Sequence, residues 1–257
     1  RIMELLDSPA PAPAGPGAQT PPAPPAPSDG HEPAPLLEAR GLACGWPGHP
    51  PVLSGIDLSL APGRSVAVVG PSGLGKTTLL LTLAGLLPPQ DGEVLLSGRP
   101  AAELSRAQAA AAVTMTAEDA HVFDTSVLEN LRVARGDVTA EQAMDALEAV
   151  GLAAWVGGLP EGLDTVLGSD ATRISGGERR RLIVARALLS PAPVLLLDEP
   201  TEHVDADGAA LLRGLLDGSL TAGRAVVVVT HRLAGLDAAH EVILLGGTGT
   251  VRARGRH

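Results

Sequence analysis

The stretch "SVAVVGPSGLGKTT", Ser65–Thr78, decides the fold. A short apolar run, Ser65–Val69, reads as a buried strand. A glycine-rich turn follows, and Thr77–Leu86 has the composition of a helix. The turn fits G-x-x-x-x-G-K-[ST], with Gly70, Gly75, Lys76 and Thr77 in place. Glycines there let backbone N–H groups converge on phosphate oxygens, and a helix N-terminus adds partial positive charge. Lys76 supplies a compact charge for β- and γ-phosphates, and Thr77 a hydroxyl for Mg²⁺. The candidate nucleotide-binding residues in this stretch are Gly70, Ser72, Gly73, Gly75, Lys76, Thr77 and Thr78.

Two further apolar runs end in chemistry. "VLLLDEP" (194–200) reads as a buried strand whose end carries Asp198, a candidate Mg²⁺ ligand, and Glu199, a candidate base for the attacking water. "VVVVTHR" (226–232) ends at His231, which is placed to sense a γ-phosphate. Glu199 and His231 are the candidate catalytic residues. "ISGGERRRLIVARALL" (174–189) starts with Ser175-x-x-Glu178, a capping box that opens an arginine-rich helix.

Around these motifs the pattern alternates. "LLEARGLA" and "LSGIDLSL" have the spacing of antiparallel strands. Val94–Ser97, Val113–Met115, Val194–Leu197, Ala225–Val229 and Val242–Leu245 read as further buried strands. Helical patterning covers Ser126–Val133, Thr139–Val150 and the segment after Ser175. The expected fold is α/β: a mainly parallel sheet core with an antiparallel β edge and a helical subdomain inserted at about 117–180.

Residues 1–35 hold nearly half of the chain's 23 prolines, mixed with Ala, Gly and Ser. They are expected to be the tail of a helix ("RIMELLD") followed by a disordered linker, with residues 36–257 forming the domain that carries the phosphate site. Of 257 residues, 45% are hydrophobic, but Trp46, Trp155 and Phe123 are the only aromatics, so the core must be aliphatic. The net charge of −10 argues against a nucleic-acid partner. Lys76 is the only lysine. Cys44 is the only cysteine and reads as a small buried apolar residue. No apolar run approaches the ~20 residues of a membrane span.

Together the motifs resemble the ATP-binding domain of ABC transporters of the exporter type, over about Leu36 to the C-terminus. The resemblance implies a P-loop NTPase fold, ATP and Mg²⁺ as ligands, and ATP hydrolysis coupled to transport. Ser175, Gly176, Gly177 and Glu178 match the signature that touches a partner's nucleotide. Asp205 in "TEHVD" stands in the D-loop. Trp46 in "GWPG" matches the aromatic that stacks on adenine, and Glu118 occupies the place of the Mg²⁺-binding glutamine. "LPEGLDT" (159–165) resembles a segment that exporters carry before the signature. A second ABC domain is the implied partner, and coupling to membrane helices is implied near Glu118 and Phe123. A transmembrane domain is expected upstream of Arg1, with this domain at the cytoplasmic face of the cell membrane.

The chain departs from the family pattern in four places: Glu118 replaces a glutamine, Glu178 ends the signature where glutamine is usual, the D-loop lacks the usual Ser-Ala-Leu-Asp, and "VLGSDATR" after "LPEGLDT" matches the exporter segment only in part. "TAEDAHVFDTSVLENL", "EPTEHVD" and "ISGGERRRL" are similar to the CydC half of the actinobacterial CydDC exporter. That resemblance implies a CydD-like heterodimer partner and thiol-reductant cargo (cysteine, glutathione), in support of cytochrome bd assembly. The alternatives are a nucleotide-binding regulatory half of an asymmetric pair and a soluble ABC ATPase outside transport.

Overall fold

Along β3 (Ser65–Val69) every side chain is buried, and successive residues serve two different cores. Val66 and Val68 point into one, Ala67 and Val69 into the other. The same division runs along β7 (Val194–Asp198) and β8 (Ala225–Thr230). Val194, Leu196, Val227 and Val229 face the first core; Leu195, Leu197, Val226 and Val228 face the second. Strands covered on both faces need no polar alternation, which is why they read as unbroken apolar runs. The protein is described by a computed structural model over residues 33–168, 174–204, 207–247 and 249–255. The linker expected at 1–35 lies, as far as residue 32, outside the described residues, and so does Asp205.

The main sheet has six strands in the order β10-β9-β3-β8-β7-β6. β6 (Val113–Thr116), β7, β8, β3 and β9 (Glu241–Leu245) are parallel, and β10 (Val251–Gly255) is the antiparallel edge. The amino-terminal strands form a separate antiparallel sheet, β2-β1-β4-β5. It contains β1 (Leu37–Cys44), β2 (Leu53–Leu60), β4 (Asp91–Leu96) and the two-residue β5 (Arg99–Pro100). The strand expected at Val94–Ser97 is therefore β4, which pairs antiparallel with β1 and not with the parallel strands.

The first core lies between the two sheets and takes in α1 (Lys76–Leu83). Leu37, Leu42, Leu53, Ile56, Leu60 and Leu96 meet Leu79, Leu80 and Leu83 there. The second core covers the opposite face of the main sheet. It is filled by α3 (Val127–Arg132), α4 (Ala140–Ala149), α6 (Gly176–Leu189) and α7 (Gly208–Leu216). Each fully buried Leu or Val contributes roughly 1.5–3 kcal/mol against exposure, so an aliphatic core of this extent suffices without aromatics. Two further helices, α2 (Arg106–Ala112) and α5 (Ala153–Gly157), lie outside the expected helical segments. Between β6 and β7 the chain runs through α3, α4, α5 and α6.

Helix α6 is defined at both ends by side chains. At the start, Ser175 Oγ accepts the Glu178 N–H (3.2 Å) and Glu178 Oε2 accepts the Ser175 N–H (2.8 Å). At the finish, the Arg224 guanidinium donates to the carbonyls of Ser190 (2.9 Å) and Leu188 (3.1 Å). Both ends thus gain partners for groups that a helix leaves unpaired.

Candidate functional site

Parallel strands place their carboxyl ends along one edge, where ligands of open α/β sheets bind. The register makes this edge specific. Val69 pairs with Thr230, Asp198 with Val229, and Thr116 with Leu197. The turn after β3, Glu199 after β7, His231 after β8 and Glu118 after β6 are therefore neighbours. β8 sits between β3 and β7, so His231 emerges between the glycine-rich turn and the carboxylates.

Gly75 caps α1 in the left-handed region, with φ of 83°. A side chain there is excluded twice over: the backbone disfavours it, and a Cβ would lie 2.4 Å from Val52 Cγ2. Lys76 is buried. Its ammonium donates to the carbonyls of Gly70 (2.9 Å) and Pro71 (3.0 Å), holding the turn closed around the cation. Lys76 Nζ also lies 3.8 Å from Glu199 Oε1. Thr77 Oγ1 donates to Asp198 Oδ2 at 2.6 Å, tying the start of α1 to the end of β7. Burial raises the Asp198 carboxyl above its ordinary range, and the Thr77 hydroxyl partly opposes this. The helix begins at Lys76 and ends at Leu83, inside the expected Thr77–Leu86 at its C-terminal end.

Glu199 is buried and adopts φ of 45°, a left-handed conformation at the strand's end. Such a residue costs about 1–3 kcal/mol. Its N–H is held by the Val229 carbonyl (2.9 Å), and its Oε2 accepts the His231 N–H (3.3 Å). Oε2 also lies 3.1 Å from His231 Nδ1. The imidazole is half exposed, so one ring nitrogen meets the carboxylate while the ring reaches the open edge. This pairing of Glu199 with His231 could not be read from two motifs 32 residues apart.

Glu118 follows β6, and burial raises its carboxyl, with Glu202 and Asp198 adding to the effect and Arg180 opposing it. Arg180, the fifth residue of α6, is buried. It donates to the Glu118 carbonyl at 2.8 Å and lies 3.9 Å from Glu202 Oε2. The run "ERRR" conceals it, because only the phase of α6 against the β6 loop separates Arg180 from its neighbours.

Ser175, Gly176 and Gly177 line a recess of about 500 Å³ together with Arg181, His203, Val204 and Asp207. No residue of Gly70–Thr78 lines it. Gly177 is required by close approach, since a Cβ would stand 2.8 Å from the His203 carbonyl oxygen. The Glu178 carboxylate is engaged by the Ser175 N–H, so its charge is turned back on the helix start. Trp46 lies exposed on the loop between β1 and β2. Gln90 secures that loop: its amide donates to the carbonyls of Trp46 (3.0 Å) and His49 (2.8 Å). Val52, farther along the same loop, packs on Gly75. Phe123 is exposed beneath the Arg186 guanidinium, 5.7 Å from its centroid, and Asn130 holds its backbone on both sides.

A family model described as "ABC transporter" matches residues 53–202, from β2 through the Asp198–Glu199 segment. The chain belongs to the ABC transporter family. It is an ABC ATPase domain. Over 207 residues it is 37% identical to an ATP-dependent lipid A-core flippase of Chromobacterium violaceum, covering 80% of this chain and 35% of that protein. It is 36% identical over 214 residues to the mycobactin import ATP-binding/permease protein IrtB of Mycolicibacterium smegmatis, covering 83% and 37%. Among solved structures, a bacterial Atm1-family ABC exporter with ATP bound superposes with a TM-score of 0.78 at 26% identity. It covers 88% of this chain and 40% of that one. This ABC domain thus spans about a third of the length of these curated relatives. Among the described residues no helix is long and apolar enough to cross a membrane.

Proposed function

We propose that this domain binds ATP with Mg²⁺, hydrolyses it in a composite site closed by a second ABC domain, and drives an exporter from the cytoplasmic face of the cell membrane. One observation carries the reading. Lys76, Thr77, Asp198, Glu199 and His231 meet at one sheet edge, while Ser175–Gly177 line a separate recess without any residue of the glycine-rich turn. Two half-sites on one chain call for two chains to make a whole one. Residues 36–257 form the ATP-binding domain in this reading, with a helical subdomain at about 117–180 and Asp205 in the segment that faces the partner.

In this scheme the turn and Lys76 bind the β- and γ-phosphates, and Trp46 stacks on the base. Thr77 Oγ1 and Asp198 Oδ2, 2.6 Å apart, are hard oxygen donors of the kind Mg²⁺ takes, with Glu118 as a third. When bound, the ion neutralises charge that develops on the phosphates. Glu199 takes the proton of the attacking water. His231, held on Glu199 Oε2, orients that carboxylate and reaches toward the γ-phosphate. Ser175 Oγ, the Gly177 N–H and the amino end of α6 face the partner's γ-phosphate.

The reading of the cargo is thiol reductants, cysteine or glutathione, in a CydD-like heterodimer supporting cytochrome bd assembly. The resemblance of the segments around Glu118, Ser175 and Asp205 to CydC supports it. The lipid A-core flippase relatives favour a second reading, an amphiphilic lipid cargo. The test is ATPase stimulation of the complete transporter in membranes. Cysteine or glutathione should stimulate turnover and lipid A-type amphiphiles should not; the reverse result would move the cargo to the lipid class.

A further inference from the structure

Helix α6 carries three consecutive arginines, Arg179–Arg181, and the middle one points inward. The Arg180 guanidinium spreads over two elements of the nucleotide edge. One nitrogen donates to the Glu118 carbonyl at 2.8 Å. The other reaches the carbonyls of Ala117 and Asp198, each at 3.4 Å. Glu202 Oε2, buried and without a hydrogen bond, faces it at 3.9 Å. The carboxylates of Glu118, Glu202, Asp198 and Glu199 all act on this one cation. Lys76, the only lysine, is the other buried cation of the edge; its ammonium donates to the turn and lies 3.8 Å from Glu199 Oε1, while Arg180 is the cation that faces Glu202.

We propose that Arg180 is a positioning and counter-charge residue of the nucleotide site: it pins the Ala117–Glu118 loop to the end of β7 and offsets the carboxylate that Glu118 brings to that edge. A planar fork with five donors spreads over carbonyls on two elements, where a lysine offers only a compact point charge with three donors. A cation is also what the edge needs, because a triphosphate would add negative charge to four carboxylates already there. Removing this cation leaves Lys76 as the buried cation beside these carboxylates, with Glu202 Oε2 and the buried Asp198 less compensated, which is costly. Removing Glu118's charge along with it restores the balance. The arginine belongs to the helix whose start faces the partner's nucleotide, so the two half-sites share one rigid connection. The assignment rests on reading this edge as an ATP site.

A double-substitution cycle tests it on the whole chain, with R180Q, R180K, E118Q and E118Q/R180Q. Two quantities are measured: the affinity for a fluorescent ATP analogue with Mg²⁺, and the melting midpoint without nucleotide. R180Q should bind on the order of tenfold more weakly and melt lower. R180K should lie between R180Q and wild type in both. E118Q/R180Q should bind and melt closer to wild type than R180Q does, a rescue that lost packing alone would not produce. Wild-type behaviour of R180Q, or a double variant no better than R180Q, overturns the proposal. If R180Q does not fold, R180K against E118Q/R180Q decides the same point. A wild-type chain that binds no ATP would overturn the reading of the edge, while rescue of the melting midpoint would still report on the counter-charge.

Discussion

His231 Nδ1 lies 3.1 Å from Glu199 Oε2, and the His231 N–H reaches the same oxygen. The Glu199 carboxylate, the proposed base, is thus oriented by the residue that follows the neighbouring strand. Substituting Glu199→Gln keeps the shape and an acceptor for the His231 N–H but removes the basic oxygen. The complete transporter carrying it should lose turnover by about 10²–10⁴-fold while still binding ATP and holding ATP-bridged dimers. His231→Ala should lower turnover less, because the carboxylate remains. ATPase rates and nucleotide-trapped dimers measured side by side check both; turnover that survives in Glu199→Gln rules out Glu199 as the base.

Cys44 should be inert in the folded chain. Its thiol is fully buried at the end of β1, and burial raises its pKa to about 11. The reactive form is the thiolate, so at pH 8 iodoacetamide should label the native chain far more slowly than the chain unfolded in guanidinium. The sign for stability follows from linkage. The folded state holds the proton more tightly than the unfolded state, so this group costs stability as pH rises from about 9 toward 11. Cys44→Ala should flatten that part of the pH–stability curve. Rapid native labelling at pH 8 would contradict the burial argument.

Much of this site was legible in the sequence because of where parallel strands end. β3, β7 and β8 announce themselves as unbroken apolar runs, and Gly70 just after β3, Asp198 at the end of β7 and His231 just after β8 break those runs at their carboxyl ends. Strand order was not legible, because β8 inserts between β3 and β7 through pairings that local patterning does not encode. Val94–Leu96 has the composition of a parallel strand yet pairs with β1, since burial on its inner face sets its residues and leaves its partner open. Arg180 and Gln90 carry no local signal, for another reason. One hides in a run of like charges and the other in "PPQDG", which reads as a turn; their roles depend on which carbonyls the fold brings within reach.

Gln90→Ala should weaken ATP binding severalfold while leaving the phosphate-binding turn intact. The substitution removes two hydrogen bonds that hold the Trp46 loop, each worth about 1 kcal/mol, and leaves the Trp46 and His49 carbonyls to water. Because Trp155 is the other tryptophan, Trp155→Phe isolates the Trp46 signal. In that background Gln90→Ala should lower Trp46 anisotropy without nucleotide and raise the ATP concentration needed for half-maximal quenching. Inorganic triphosphate, which has no base to stack, should bind both chains alike. Equal loss for triphosphate and ATP would mean that the turn itself was disturbed.

Ser175→Arg separates the two half-sites. Ser175 is exposed at the mouth of a recess lined by no residue of Gly70–Thr78; in the proposed composite site an arginine there would meet a partner's nucleotide and not this chain's own. ATP affinity of the isolated chain should stay within about twofold of wild type, and the lost N-cap should cost about 1 kcal/mol of stability. ATP-dependent association with the second ABC domain should be abolished. Ser175→Thr, which retains a capping hydroxyl, should keep the melting midpoint and most of the association. Gly177→Ala provides an independent check, because its Cβ would press on the His203 carbonyl at 2.8 Å and shift the recess without adding charge. Association measured by light scattering with a second ABC domain whose own catalytic glutamate is replaced by Gln reads closure directly. If Ser175→Arg closes normally on that partner, or loses its own ATP binding, the division into two half-sites does not hold.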